Sequence, residues 1–164
     1  MRIIARGPDP VAFAPYGALI EAPSLNGDRR IYSDWLAPVA GLALQFHINR
    51  VAASELPLTL DRVERHPRAA QVFVPLNVSR YLVTVMPSVE AGPPDPAAAL
   101  GMIVPGTTGV IYRADCWHTG VIALDRDAQF AVLMWRGSAD DDVFQAVPPF
   151  TLHPAAAIQT GPRP

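Results

Sequence analysis

Short runs of Val, Ile, Leu, Phe and Tyr follow one another along the chain, and eighteen prolines punctuate it. Such runs, at a spacing of about 8–12 residues with turn signals between them, predict an all-β sandwich or barrel. The predicted strands are 3–5, 18–21, 30–35, 42–51, 58–65, 70–76, 80–86, 100–104, 109–112, 121–124, 129–136 and 144–147.

Two of these strands differ in the polarity of their two faces. In strand 42–51, Leu44, Phe46 and Ile48 share one face, while His47 and Asn49 share the other. A strand of this kind either borders solvent or lines a polar pocket. Strand 129–136 is apolar on both faces, which predicts a central, buried position in a sheet.

Helices are expected to be few and short. Asp9 can cap a helix that has Pro10 at its first position, and Pro15 should end it early. A second short turn is expected at 97–100. Residues 153–164 carry no pattern and are expected to form a loose tail after one domain at 1–152.

The amino-acid composition excludes several classes of function. All thirteen basic residues are arginine, which excludes lysine Schiff-base chemistry and the P-loop. The single cysteine, Cys116, excludes an internal disulfide. A net charge of −2 gives no footprint for nucleic acid, and no stretch is apolar enough to span a membrane. We therefore expect a cytoplasmic protein without nucleic-acid or membrane partners.

Charged residues make up only 17% of the chain, below the usual value of about 25%. So few charges leave apolar surface uncovered, and contact with a second subunit is one way to bury it. The composition therefore favours an oligomer.

Two stretches carry candidate chemistry, residues 64–71 and residues 112–118. Glu64 and His66 are two apart and share a strand face, Pro67 ends the strand, and the chain returns at Gln71. With His118 from a distant strand they form a set of nitrogen and oxygen ligands. Such a set suits a divalent metal with open positions. The spacing alone is a weak signal, because a Glu and a His two apart on a strand are more often a surface pair than a site.

A set of short motifs runs along nearly the whole chain except its tail. They are Phe13-x-x-Tyr16-Gly17, Ile48-Asn49-Arg50, Leu56-Pro57-Leu58, Glu64-Arg65-His66-Pro67, Gln71-x-Phe73-x-Pro75, Gly109-Val110-x-Tyr112, Trp117-His118, Arg136-Gly137 and Val147-Pro148. In these motifs the sequence resembles the ureidoglycolate lyase family of allantoin degradation. The resemblance implies a cupin-like fold, a double-sheeted β-barrel with one or two short helices, in a homodimer.

The resemblance also implies the reaction, in which ureidoglycolate is cleaved to glyoxylate and urea by a carbon–nitrogen lyase of the amidine-lyase type. No organic cofactor is expected, and the family implies nickel or another divalent ion. The cupin ligand pattern corresponds here to Glu64, His66, Gln71 and His118. Two places depart from the family pattern, Val78 and the stretch around Trp-His, where Arg113, Thr119 and Gly120 stand.

Elimination needs a base, an acid and a cation for the substrate carboxylate. His66, His118 and Glu64 are the candidate catalytic residues, and the candidate metal ligands are the same three plus Gln71. The candidate substrate-binding residues are Arg50, Gln71, Tyr112 and Arg113.

Other polar residues receive simpler interpretations. Arg65 should point away from Glu64. His47 is read as part of a polar sheet face, and residues 140–142, three aspartates, as a solvated loop. Cys116 is a weak candidate nucleophile.

Alternative functions remain open at this stage. The chain could be a non-catalytic cupin that binds a small hydroxy or keto acid, a cupin enzyme of another chemistry, or an enzyme that releases ammonia from ureidoglycolate. Turnover, metal content and product identity distinguish them.

Overall fold

The structure is a computed structural model that describes residues 1–87 and 93–155. Thirteen strands and one α-helix make up most of the described chain. The elements are β1 (Arg2–Ala5), α1 (Pro10–Phe13), β2 (Gly17–Ile20), β3 (Ala43–Val51), β4 (Ala53–Ser54), β5 (Leu58–Arg65), β6 (Gln71–Pro75), β7 (Arg80–Met86), β8 (Leu100–Pro105), β9 (Gly109–Tyr112), β10 (Trp117–His118), β11 (Ile122–Leu124), β12 (Ala128–Arg136) and β13 (Val143–Pro154).

The strands form two sheets. The first has the order β1-β13-β5-β10-β7-β11-β4, with β8 paired to β7, and the second has the order β2-β9-β6-β12-β3. The all-β, double-sheeted expectation is confirmed. The sheets remain two separate sets of strands, so the barrel is not closed into one ring.

A hydrophobic core fills the space between the sheets. Phe73, Phe130 and Val132 of the second sheet pack there with Tyr81 and Val83 of the first. A second cluster covers the other face of the first sheet and includes Val63, Trp117 and Phe150. The first sheet is therefore covered by apolar side chains on both of its faces.

Strands β3 and β12, whose sequences differ in the polarity of their faces, lie side by side. Strand β12 is inside the second sheet, between β6 and β3, and Phe130, Val132 and Met134 are buried. Strand β3 ends the described order of that sheet, and its polar face, with His47 and Asn49, turns toward the inside. Its apolar face is left outside.

The helical expectations are confirmed in their main features. The Asp9 carboxylate accepts hydrogen bonds from the N–H groups of Val11 and Ala12, each at 3.0 Å, and so caps α1. A short 3-10 helix, Pro96–Ala98, follows a similar cap by Asp95.

Two strand predictions need correction. The predicted strand 30–35 is not formed, because the chain turns there into a 3-10 helix, Ser33–Leu36. The predicted strand 144–147 is the first part of β13, which runs to Pro154 and passes the expected domain end at residue 152. The rest of the predicted tail, 156–164, lies outside the described residues. None of the described helices is long and apolar enough to cross a membrane.

Candidate active site

Four of the sequence-predicted site residues converge between the two sheets. Glu64 is near the end of β5, His66 follows that strand, and Gln71 opens β6 in the opposite sheet. His118 lies in β10, directly across from Glu64 in the strand register. The ligand atoms of Glu64, His66 and His118 all lie within 4.8 Å of one another.

Backbone carbonyls fix the tautomers of the two histidines. The Nδ1 atom of His118 is 2.8 Å from the carbonyl oxygen of Cys116, and that of His66 is 2.8 Å from the carbonyl oxygen of Asp141. A carbonyl only accepts, so each Nδ1 carries the proton. In a neutral imidazole of this tautomer, Nε2 carries the free electron pair.

The two Nε2 atoms face the same small region. That of His118 is 3.2 Å from Oε1 of Gln71 and 3.7 Å from Oε1 of Glu64. That of His66 is buried and has no hydrogen-bond partner among the described residues. A buried nitrogen without a partner is costly, so this electron pair points to something that the site binds.

Burial sets the protonation of the site. Desolvation, aided by the neighbouring His66, lowers the pKa of His118 to about 3, so this imidazole is neutral. Desolvation also raises the pKa of Glu64 above its ordinary value, against the opposing effect of His66. The ring of Tyr112 stacks on His118 with centroids 4.0 Å apart. Burial raises the pKa of Tyr112 well above its ordinary value, so the phenol stays protonated.

A cavity of about 330 Å³ opens beside these groups. Glu64, His66 and Gln71 line it, and its opposite wall includes His47 and Asn49 of β3. The interpretation of His47 as a simple polar sheet face therefore missed its place in the cavity wall. The alternation in β3 was the signal that could have found it, because a polar inner face lines a polar pocket.

The turn between β12 and β13 anchors His66. The carboxylate of Asp142 lies 3.1 Å from Nδ1 of His66 and also pairs with Arg136 through two guanidinium nitrogens. Asp141 accepts hydrogen bonds from the N–H groups of Gly137 and Ser138, which holds the turn. Residues 140–142 form a partly exposed turn, as expected, but the contacts of Asp141 and Asp142 were not anticipated.

Two predicted arginines lie away from the cavity. Arg50 is on the outer face of β3, where it pairs with Asp127 at 3.4 Å. Arg113 lines a different recess, near Tyr16 and Cys116, and donates to the carbonyl of Ala14. Neither arginine lies beside His66. The side chain of Arg50 points outward because of its position in the alternation of β3, and Arg113 comes just after the end of β9.

Cys116 and Arg65 have structural surroundings. Burial raises the pKa of the Cys116 thiol to about 12, so the nucleophilic thiolate is not available near neutral pH. Arg65 pairs with Asp115 at 2.9 Å and lies over the Trp117 ring, on the side of β5 away from Glu64.

The donor set fits a divalent metal. Two imidazole Nε2 atoms and one carboxylate are the ligands of a 2-His-1-carboxylate site. The short contact between His118 Nε2 and Gln71 Oε1 joins two acceptors. It becomes favourable when a cation lies between them or when the Gln71 amide is turned so that its NH₂ group donates.

A family model described as ureidoglycolate lyase matches residues 2–152. A ureidoglycolate lyase of Brucella ovis is 34% identical over 140 residues, 79% of this chain and 80% of that protein. One of Chelativorans sp. is 32% identical over 162 residues, 93% of this chain and 96% of that protein.

Solved structures with similar folds are more distant in sequence. A dTDP-6-deoxy-D-glucose-3,5-epimerase from Legionella pneumophila superposes with a TM-score of 0.45 and 12% identity, covering 77% of this chain and 68% of that chain.

Proposed function

The chain belongs to the ureidoglycolate lyase family, and on that basis we propose that it cleaves ureidoglycolate to glyoxylate and urea. The observation that carries the proposal is the group of half-buried Glu64 with buried His66 and His118, in which His66 Nε2 has no partner among the described residues. This arrangement supplies proton acceptors and donors beside a cavity of about 330 Å³.

The reaction is an elimination across one carbon. The hydroxyl of ureidoglycolate loses its proton, its oxygen forms the carbonyl of glyoxylate, the carbon–nitrogen bond breaks, and the leaving nitrogen takes up a proton to give urea. We assign the first transfer to His66, whose buried Nε2 has no hydrogen-bond partner among the described residues. Glu64, whose pKa is raised by burial, delivers a proton to the leaving nitrogen. This assignment makes the protein a carbon–nitrogen lyase of the amidine-lyase type.

The same side chains are suited to a divalent ion. Glu64, His66 and His118 would hold it, with Gln71 as a fourth oxygen ligand. When bound, such an ion acidifies a coordinated hydroxyl and so lowers the cost of its deprotonation. Nickel is the ion expected for the family. In that case His66 serves as a ligand, and removal of the ion abolishes activity.

The remaining proposals concern the protein's setting. We propose a role in allantoin breakdown, within purine catabolism, and a location in the cytoplasm, in keeping with its single unpaired cysteine, Cys116. We also propose a homodimer. Leu44, Phe46 and Ile48 leave an apolar stripe on the outer face of β3, with Phe46 66% exposed. A second copy of the chain would bury it.

A coupled assay tests the reaction. Purified protein is given racemic ureidoglycolate, and glyoxylate and urea are followed together after subtraction of the spontaneous decay. We expect both products in equal amounts, and a loss of about 10²-fold or more in His66→Ala. His153→Ala, a histidine in β13 outside the site, is the matched control. Ammonia in place of urea, or full activity in His66→Ala, contradicts the proposal.

The metal is tested in the same assay. Dialysis against a chelator, followed by addition of nickel or manganese, separates the two versions of the mechanism. Activity that is lost and then restored places an ion in the site. Activity that a chelator leaves unchanged assigns the proton transfers to Glu64 and His66 alone.

A further inference from the structure

A small recess of about 180 Å³ adjoins the main cavity. It is lined by Arg62, Val63, Glu64, Thr119, Gly120 and Phe144. Glu64, Gly120 and Phe144 also line the main cavity, so the two spaces share a boundary beside the Glu64 carboxylate. A ligand in the main cavity can therefore extend into the recess.

Arg62 brings a positive charge to this recess. It is two residues before Glu64 on β5 and so shares its face. Its guanidinium lies 4.1 Å from the centre of the Phe144 ring, which holds it over the recess. In the described part of the chain no carboxylate lies within 4 Å of it, whereas Arg136 and Arg65 near the site are paired with aspartates.

Thr119 adds a second polar group. The residue lines the recess and is only 5% exposed. Its hydroxyl oxygen has no hydrogen-bond partner among the described residues. A buried hydroxyl without a partner lowers stability, and a ligand oxygen that accepted its proton would remove that cost.

Gly120 keeps the recess open. The nearest heavy atom to the position of a Cβ at residue 120 is Oε1 of Glu64, at 3.7 Å. A Cβ there would be in ordinary van der Waals contact with that carboxylate oxygen, and a larger side chain would take up space beside it. The absence of a side chain leaves room there for the end of a small ligand.

We propose that Arg62 and Thr119 form the subsite for the carboxylate of the substrate. The inference rests on the proposed lyase function. It gives to Arg62 and Thr119 the binding of the substrate carboxylate, which the sequence predicted for Arg50 and Arg113. An arginine fork and a hydroxyl donor match the acceptors of a carboxylate. A carboxylate held there places the adjoining carbon, with its hydroxyl and ureido groups, beside Glu64 and His66.

Kinetics of Arg62→Gln and Thr119→Val test the subsite. For Arg62→Gln we expect KM for ureidoglycolate to rise roughly 10- to 100-fold, since a hydrogen bond to a charged group contributes about 1.5–3 kcal/mol. The value of kcat should stay within about threefold. Arg62→Lys should recover part of the loss, because it restores the charge without the fork. Arg30→Gln, an exposed arginine paired with Glu21, is the control.

A binding measurement separates this inference from the proposed function. Glyoxylate is titrated into each variant and its Kd is measured by NMR, without turnover. If wild type turns over ureidoglycolate but Arg62→Gln changes neither KM nor the glyoxylate Kd, the subsite is refuted and the function stands.

If wild type shows no turnover, the glyoxylate titration alone decides. A Kd that rises at least tenfold in Arg62→Gln supports a carboxylate subsite in a protein of another function. An unchanged Kd, or no binding by wild type, overturns the inference. Thermal melts of each variant show that the fold is intact.

Discussion

At the scale of single residues, the two histidines of the site are held in the same tautomer by different carbonyls. His118 is bound to the carbonyl of its own near neighbour Cys116, while His66 depends on Asp141, which is 75 residues away in sequence. His118 is thus fixed by local geometry and full burial. His66 is fixed by a long-range contact, so a substitution in another element can change its position.

Burial of neutral His118 predicts a weakness in acid. Its pKa of about 3 in the folded protein is below the ordinary value of 6.5, so between these values the unfolded chain binds a proton that the folded chain does not. The free energy of unfolding of metal-free protein should therefore fall as pH drops from about 6.5, by up to about 1.4 kcal/mol per pH unit. Denaturant titrations from pH 7 to 4.5 measure the slope.

The matched variant for this experiment is His118→Gln, which lacks the titrating group. Its stability should depend less on pH over the same interval. Parallel curves for wild type and variant would show that His118 binds its proton equally well in both states.

Residue spacing predicted the centre of the site but not its surroundings. Glu64, His66 and Gln71 lie within eight positions, so strand parity and one turn were enough to bring them together. Arg50 was misplaced because a motif does not reveal which face of β3 is the inner one. Arg136, Asp141 and Asp142 join the site through the turn between β12 and β13, and no local pattern marks those contacts. Arg62 shares a face with Glu64 by the same spacing of two residues that relates Glu64 to His66.

At the scale of elements, the turn between β12 and β13 acts as a clamp on His66. Asp142 contacts both His66 and Arg136, and Asp141 holds the turn through Gly137 and Ser138. The φ of Gly137 is +131°, a value that residues with a Cβ rarely adopt. The turn is therefore shaped to present one carboxylate and one carbonyl to a single imidazole.

Replacing Asp142 with Asn should loosen this clamp. The charge that orients His66 and pairs with Arg136 is lost while the side-chain shape is kept, so we expect a fall of roughly 10- to 100-fold in kcat with an unchanged fold. Steady-state kinetics and circular dichroism measure the two effects. Asp140→Asn, an exposed neighbour in the same turn, should behave like wild type. Equal activity in both variants would remove Asp142 from the positioning of His66.

Strand β3 carries the proposed dimer contact on its outer face. Phe46→Glu should place a charge in that contact and convert a dimer into a monomer, as measured by sedimentation velocity at micromolar concentration. Val11→Glu, at an 84% exposed position on α1, is the control and should leave the mass unchanged. A wild-type protein that sediments as a monomer would contradict the proposal.

The elements themselves were largely predictable because alternation and proline punctuation are local signals. Strand 58–65 was predicted with the bounds that β5 has. The error at 30–35 arose because Ile31, Tyr32 and Trp35 have high strand propensity, yet the segment is a loop over the second sheet, where Trp135 donates to the carbonyl of Leu36. Strand β10 has only two residues, which is too short for a periodic pattern to be detected.

At the scale of the whole molecule, the site is built from both sheets, so ligand binding and global stability are coupled. If Glu64, His66 and His118 hold an ion, nickel at about 100 times its Kd should stabilise the fold by about 2.7 kcal/mol. For a chain of this size that is a rise of roughly 5–10 °C in Tm. Differential scanning calorimetry of chelator-treated protein with and without nickel measures it.

The control for the thermal shift is His66→Ala, which should melt at the same temperature with or without the ion. A wild-type Tm that nickel, manganese and zinc all leave unchanged would show that the site works without a metal.

The pairing of β5 with β13 also has a consequence for how the protein is made. Glu64 lies opposite Phe144, and His66 is held by Asp141, 75 residues later in the chain. At a translation rate of about 5–20 residues per second, the ribosome needs roughly 4 to 15 s to supply that partner. Throughout that interval the edge of β5 that β13 will cover is bare, and a nascent chain is open to chaperones and to wrong strand pairing. A ribosome that stalls before codon 141 therefore releases a product that has both of its site histidines and Glu64 but lacks the turn that orients His66.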